Sequence, residues 1–143
     1  MEKVGGLIMS NEWKDYQCDI RTDFEYNFEA AIDGVPDGWI KSFFPQLKDE
    51  LFKACGAYAN EIMFYQIKEK YGQLTVYWNF PDKDYYTDLD NKDIEEIIPT
   101  VQDIIKRYTE ISRHTCIICG KETAHMTYGH IIVPLCDSCE DKL

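Results

Sequence analysis

The run IMFYQIKEKYGQLTVYWNF, residues 62–80, decides the fold class. Met63, Tyr65 and Ile67 alternate with Phe64 and Gln66, and Leu74, Val76, Trp78 and Phe80 alternate with Thr75, Tyr77 and Asn79. A period of two sends successive side chains to opposite faces, so the run reads as two strands. The segment Lys68 to Gly72 between them is short and polar, and Gly72 supplies a permissive backbone position, as an antiparallel hairpin requires. Two strands alone are marginal in water. Either helices cover one face, or a third strand comes from the N-terminal region.

Helical patterns lie on both sides of this hairpin. From Asn11 to Ala31, Trp13, Tyr16, Ile20, Phe24 and Phe28 recur at spacings of three or four and predict an early helix, which Asp19, Thr22, Asp23 and Asn27 weaken. The stretch Asp33 to Gly38 reads as a loop, with two Asp-Gly pairs around Pro36. Trp39, Phe43, Leu47, Leu51 and Cys55 then share one helical face, widened by Ile40, Phe44 and Phe52. Pro45 fits there if Ser42 caps the helix and Pro45 lies in its first turn, with Gly56 as the stop. The stripe is expected to pack against the sheet. Beyond an acidic connection from Pro81 to Lys92, Ile94, Ile97, Val101, Ile104, Tyr108 and Ile111 trace another helical stripe. Pro99 within it either kinks one long helix or starts a second. The pattern ends near His114.

The C-terminal part carries the most specific chemistry. Cys116-x2-Cys119 and Cys136-x2-Cys139 are separated by sixteen residues, and a two-residue spacing lets both thiolates of a pair reach a single soft ion. Four sulfur ligands close a tetrahedral Zn²⁺ shell and leave no position for catalytic water, so one structural Zn²⁺ is expected. A redox role for Cys116 and Cys119 is the weaker alternative, because a second pair is present and no α/β pattern precedes the first. Any of His114, His125 and His130 could replace a cysteine as ligand, but four cysteines suffice. Gly129 to Leu135 superficially resembles the histidine segment of His-Asn-His nucleases, yet Gly129 stands where the acidic partner belongs. Sixteen residues also leave little room for the remaining machinery of such an enzyme.

Length and charge bound the rest. The 143 residues suffice for one compact domain with a small metal appendage, divided here as an acidic α+β main domain over 1–112 and a four-cysteine zinc-binding module over 113–143. The 26 acidic residues outnumber 15 basic ones, giving a formal charge of -11 that repels phosphate backbones and anionic lipid and attracts basic proteins. Direct nucleic-acid binding and membrane association are therefore disfavoured. Residues 1–10 lack a signal-peptide apolar region, and with the cysteine pairing this points to a reducing cytoplasm, where Cys18 and Cys55 are plain thiols. The sequence contains no metalloprotease, nucleophile-elbow or phosphate-loop motif and no histidine outside residues 114–130, so no enzyme is expected. Tyr65, Tyr77, Trp78, Tyr85 and Tyr86 gather around the hairpin and the acidic connection. Either they fill a two-sided core, or tyrosines supply contact area while carboxylates steer a basic partner.

Gly38-Trp39, the segment Gln66 to Tyr77, Ile111-Ser112, Thr115 to Gly120 and Leu135-Cys136 together resemble a family of small uncharacterised bacterial and prophage proteins with a C-terminal four-cysteine element. The likeness spans about residues 37–139, and Lys68 to Gly72 is its most specific part; at Tyr71 that family commonly has another aromatic. The resemblance implies the α+β architecture, with helices on a small antiparallel sheet and a zinc-ribbon-like module, and no catalytic residues. A second resemblance, of charge and size alone, is to the acidic immunity proteins of nuclease toxins. It implies a non-enzymatic inhibitor that occludes the cleft of a basic toxin, with Asp82, Asp84, Asp88 and Asp90 steering and Trp78, Tyr85 and Tyr86 in contact. The alternative is a zinc-ribbon adaptor or regulator of a transcription, replication or phage assembly.

Overall fold

The computed structural model describes residues 23–81, 91–122, 124–127 and 131–142. Helix α1 (Phe24–Ala31) starts where the Asp23 carboxylate accepts the Glu25 amide at 3.0 Å and buries Phe24, Asn27, Phe28 and Ala31. The earlier residues of the expected N-terminal helix, from Asn11 to Thr22, lie outside the described residues. Past α1 the chain touches the sheet edge in a single parallel bridge between Ile32 and Ile67, with the Asp33 amide donating to the Ile67 carbonyl at 2.9 Å.

The expected loop over Asp33 to Gly38 is shorter than its residues suggest, because α2 (Asp37–Ser42) begins inside it. Pro36 stands in the capping position at φ -62, an angle suited to a helix entry. Helix α3 (Phe44–Cys55) follows with Pro45 in its first turn, as expected. Ser42 is not its cap. Phe43 takes that position without any side-chain hydrogen bond, and the backbone of one helix runs into the next: the Phe43 amide reaches Trp39 and the Leu47 amide reaches Phe43. Gly56, at φ +54, ends α3 in a conformation that costs glycine little.

Strands β1 (Met63–Lys70) and β2 (Gln73–Asn79) form the antiparallel hairpin. Its connection is tighter than the five residues read from polarity. Only Tyr71 and Gly72 turn, at φ +55 and +85, the positive-φ pair whose twist matches that of the strands. The strict alternation in the first strand also fails, because a bulge at Tyr65 shifts the register between Phe64 and Gln66. One extra residue turns Phe64 and Ile67, three apart, onto the buried face and leaves Tyr65 outside.

Helix α4 (Asn91–Ser112) runs unbroken through Pro99 and buries Ile94, Val101, Ile104 and Tyr108. Helix α1 packs on β1 and α4 on β2, so among the described residues helices cover the hairpin and its sheet has two strands. The expected stripe is buried throughout, with Trp39 on α2, Phe43 at the junction and Leu47, Leu51 and Cys55 on α3, but α3 packs chiefly on α4 instead of on the sheet. Burial pushes the Cys55 thiol up to about 12, which makes it an inert core residue. Ile40 and Phe52, read as part of that stripe, stay on the surface.

A polar clamp joins α3 to α4. Glu50 accepts from Arg107 at 2.7 and 3.1 Å and from the Tyr108 hydroxyl, and these hydrogen bonds hold its carboxyl down at about 2. Since the folded pKa lies below the usual 4.5, the stability contributed is complete above that value and disappears as the pH falls towards 2. The site is partly solvated, so Glu50→Gln is expected to lower stability at pH 7 by about 1 kcal/mol. In urea melts the gap between Glu50→Gln and the parent should narrow steadily from pH 5 to pH 2.

Candidate metal centre

The first cysteine pair sits on a tight backbone turn. The Gly120 amide returns to the Cys116 carbonyl at 3.0 Å, the Cys116 amide is bound by the Lys121 carbonyl at 2.8 Å, and Gly120 has φ +85. The second pair brackets a short helix, α5 (Asp137–Glu140), with Cys136 at its start and Cys139 inside it. Between the pairs β3 (His125–Met126) and β4 (Pro134–Leu135) form a minimal antiparallel ribbon. A hydrogen bond from the Ile117 amide to the Pro134 carbonyl at 3.1 Å joins the first knuckle to the ribbon. Ala124, Val133 and Leu135 pack with the cysteines in a small core of their own.

All four Sγ atoms lie within 4.8 Å of one another, and those of Cys119 and Cys136 are 3.6 Å apart. A disulfide needs about 2.05 Å. A tetrahedral shell with metal–sulfur bonds of about 2.3 Å has edges of about 3.8 Å, which this spacing matches. The four cysteines can therefore hold a metal ion. Their protonation fits the same use. Burial opposes ionisation of Cys116, but backbone hydrogen bonds from Cys119, Cys136 and Ile118 outweigh it and hold the thiol down at about 6. Burial, together with the neighbouring thiols of Cys136, Cys116 and Cys119, pushes Cys139 up to about 12. Crowded thiols of this kind cannot all ionise without a cation among them.

Neither His114 nor His125 joins the sulfur cluster. His114 lies 3.0 Å from Glu110 on the last turns of α4. His125 places Nε2 at 2.8 Å from Glu140 and Nδ1 at 3.5 Å from Asp137, a small exposed grouping that ties β3 to α5. His130 lies outside the described residues.

What sequence reasoning missed is how the module is held. The Gly38 amide donates to the Ile117 carbonyl at 2.8 Å, and the Trp39 indole N–H, fully buried, donates to the Thr115 carbonyl at 2.9 Å. The backbones are almost in contact: a Cβ on Gly38 would stand 2.1 Å from the Cys116 carbonyl oxygen, and one on Gly120 would stand 2.8 Å from the Gly38 carbonyl oxygen. A second contact forms at the hairpin tip, where a Cβ on Gly72 would meet the Met126 sulfur at 2.6 Å. The module is thus docked on the body through α2 and the β1–β2 turn. Gly38, Trp39 and Gly72 are the sequence signals for this, legible only as a loop residue, a position of an apolar stripe and a turn.

Of the residues expected to meet a partner, Asp82, Asp84, Tyr85, Tyr86, Asp88 and Asp90 lie outside the described residues. Trp78 is half-buried, packs against the core and stands edge-on to Phe80. Tyr65 and Tyr77 point outward, 62% and 43% exposed. No family model, no curated protein and no solved structure matches this chain. Among the described residues no helix is long and apolar enough to cross a membrane.

Gly38→Ala is expected to cost about 3 kcal/mol or more, because backbone rather than a flexible side chain stands where the methyl would go. Chemical denaturation should show this loss, and tryptophan emission should shift to longer wavelength as Trp39 loses its carbonyl partner.

Proposed function

We propose that this chain is a non-enzymatic inhibitor of the immunity type, which neutralises a basic toxin by covering its active-site cleft, and that one structural Zn²⁺ sits among Cys116, Cys119, Cys136 and Cys139. Zinc is favoured by the donor set, since four thiolates at tetrahedral spacing suit a soft-to-borderline ion with no geometric preference of its own. All four ligand positions would be filled by protein, so the ion's contribution is to folding: it gives a segment with a very small core most of its stability. Purified chain is expected to carry one zinc per molecule by elemental analysis. Removing it with a chelator should unfold residues 113–142, seen as loss of amide-exchange protection there ahead of α3 and α4.

The observation that carries the binding reading is the outward turn of Tyr65 and Tyr77 from the hairpin of a chain with net charge -11. Tyrosine offers large contact area with little side-chain freedom to lose, and a strongly acidic surface raises the rate at which a basic partner arrives. The acidic segment that follows β2, with Asp82, Asp84, Asp88 and Asp90, supports the same direction of steering, and Tyr85 and Tyr86 supply further rings. The partner class is a basic protein, such as a nuclease toxin domain.

Affinity capture on the zinc-loaded chain from cells of its source should retain a basic domain whose toxic activity the chain suppresses. Neutralising the four aspartates and truncating Tyr85 and Tyr86 should then weaken binding by at least about tenfold, mostly through slower association. Unchanged affinity by calorimetry would exclude this surface. The exposed Ile118, Ile131 and Ile132 favour a second reading, an adaptor that contacts a transcription, replication or phage assembly through its metal module. In that case changes within residues 121–128 that leave zinc bound would abolish capture.

A further inference from the structure

A groove of about 510 Å³ lies between α1 and α3, away from the cysteine cluster. Phe24, Phe28 and Phe44 back it, and Phe52 and Ile40, which are 50% and 36% exposed, form apolar wall. Its rim has the opposite character. Asp23, Glu25, Glu29 and Asp49 face it against Lys48, which already bridges Glu25 at 2.7 Å and Glu29 at 2.9 Å.

Each half of this surface excludes a class of occupant. A purely apolar ligand would cover Phe52 but strip water from carboxylates without replacing it, which costs free energy. An anionic ligand is repelled by the rim. A hydrophilic cation would pair with the rim and leave Phe52 and Ile40 wet, losing the apolar burial at about 25 cal/mol per Å². Only a ligand with both an apolar stripe and positive charges satisfies the two halves together. The groove runs beside helices of 8 and 12 residues, roughly 12 and 18 Å long, so two to three turns of an incoming helix match its length.

We propose that the α1–α3 groove receives an amphipathic cationic helix of a partner protein. Apolar side chains one turn apart cover Phe52 and Ile40, and lysine or arginine pairs with the rim. Lys48 acts as a placeholder: an incoming arginine replaces it on Glu25 and Glu29, and the freed Lys48 swings to solvent. The inference rests on the reading of the chain as a binder of basic proteins, and adds to the 82–90 segment a docking site on the helical body.

The test uses the full zinc-loaded chain and three synthetic peptides of about 18 residues, long enough to form a helix on binding. One is a leucine–lysine amphipathic helix, one has the same composition in scrambled order, and one replaces lysine with glutamate. By calorimetry the first is expected to bind at least about tenfold more tightly than the scrambled peptide, and the glutamate peptide not at all. Phe52→Ser should weaken the first peptide about tenfold, and the Glu25→Gln/Glu29→Gln double variant should weaken it and flatten its salt dependence. Melting curves of the variants verify folding, which half-exposed Phe52 permits.

Equal binding of the scrambled peptide, or indifference to Phe52→Ser, would overturn the proposal in favour of unspecific charge attraction. A full-chain Trp13→Ser/Tyr16→Ser variant that binds about tenfold more tightly would assign the groove to the chain's own N-terminal residues. A dimer by light scattering that Phe52→Ser dissolves would assign it to a second copy. Asp82→Asn/Asp84→Asn/Asp88→Asn/Asp90→Asn is expected to bind the peptide as the parent does. The two surfaces are thereby separated: loss of toxin binding in that variant with peptide binding intact leaves the groove standing, whereas loss of peptide binding in Phe52→Ser with toxin binding intact leaves the acidic segment standing.

Discussion

The approach of Gly38 to the Cys116 knuckle is the constraint around which the rest of the molecule is arranged. Two backbones come so close that neither Gly38 nor Gly120 has room for a methyl group. Such an approach needs partners for the polar groups it buries, and two hydrogen bonds, from the Gly38 amide to Ile117 and from the Trp39 indole to Thr115, provide them. Trp39 has a double part here. Its ring belongs to the main core beside Phe43, while its one polar atom serves the cysteine module. Core and module are therefore not independent, and Ile117 packs against both apolar clusters.

This coupling bears on what the metal centre can do for the protein. A four-cysteine module on a free tether would stabilise only itself. Here the knuckle supplies acceptors to the first turn of α2, and α2 continues directly into α3 and so into the α3–α4 packing. The hairpin tip adds a second anchor through Gly72 against Met126. An ion at the four thiolates would thus stiffen two elements of the body as well as the ribbon. The outward faces, with Tyr65 and Tyr77 on the hairpin and Phe52 beside the α1–α3 groove, would be presented on a rigid support, which limits the entropy lost on binding.

Several corrections to the local reading share a cause. Polarity over Lys68 to Gly72 suggests a five-residue connection, but one face of a two-stranded sheet meets water, so polar residues there are compatible with strand and only Tyr71 and Gly72 turn. Ser42 is a reasonable cap in isolation. It does not take that position, because the chain enters α3 straight from a helix, with the Phe43 amide bonded back to Trp39 and the Phe43 carbonyl accepting the Leu47 amide. The bulge at Tyr65 has no local signature, and arises where Phe64 and Ile67 must both reach the core under α1.

The sequence by itself determined the helical character of α1, α3 and α4, the buried positions Leu47, Leu51 and Cys55, the hairpin and the identity of the four clustered cysteines. Each rests on a short-range rule: a period of two or 3.6, a turn residue, or a two-residue ligand spacing. Tertiary structure decided which faces meet. The α3 stripe packs on α4 rather than on the sheet, Trp78 turns inward while Tyr65 and Tyr77 turn out, and a glycine read as part of a loop becomes the seat of the metal module. The physical reason is that close approach between segments distant in the chain depends on what is absent from a side chain as much as on what is present. Glycine marks many kinds of local turn, and only the packed fold shows which of them makes room for another backbone.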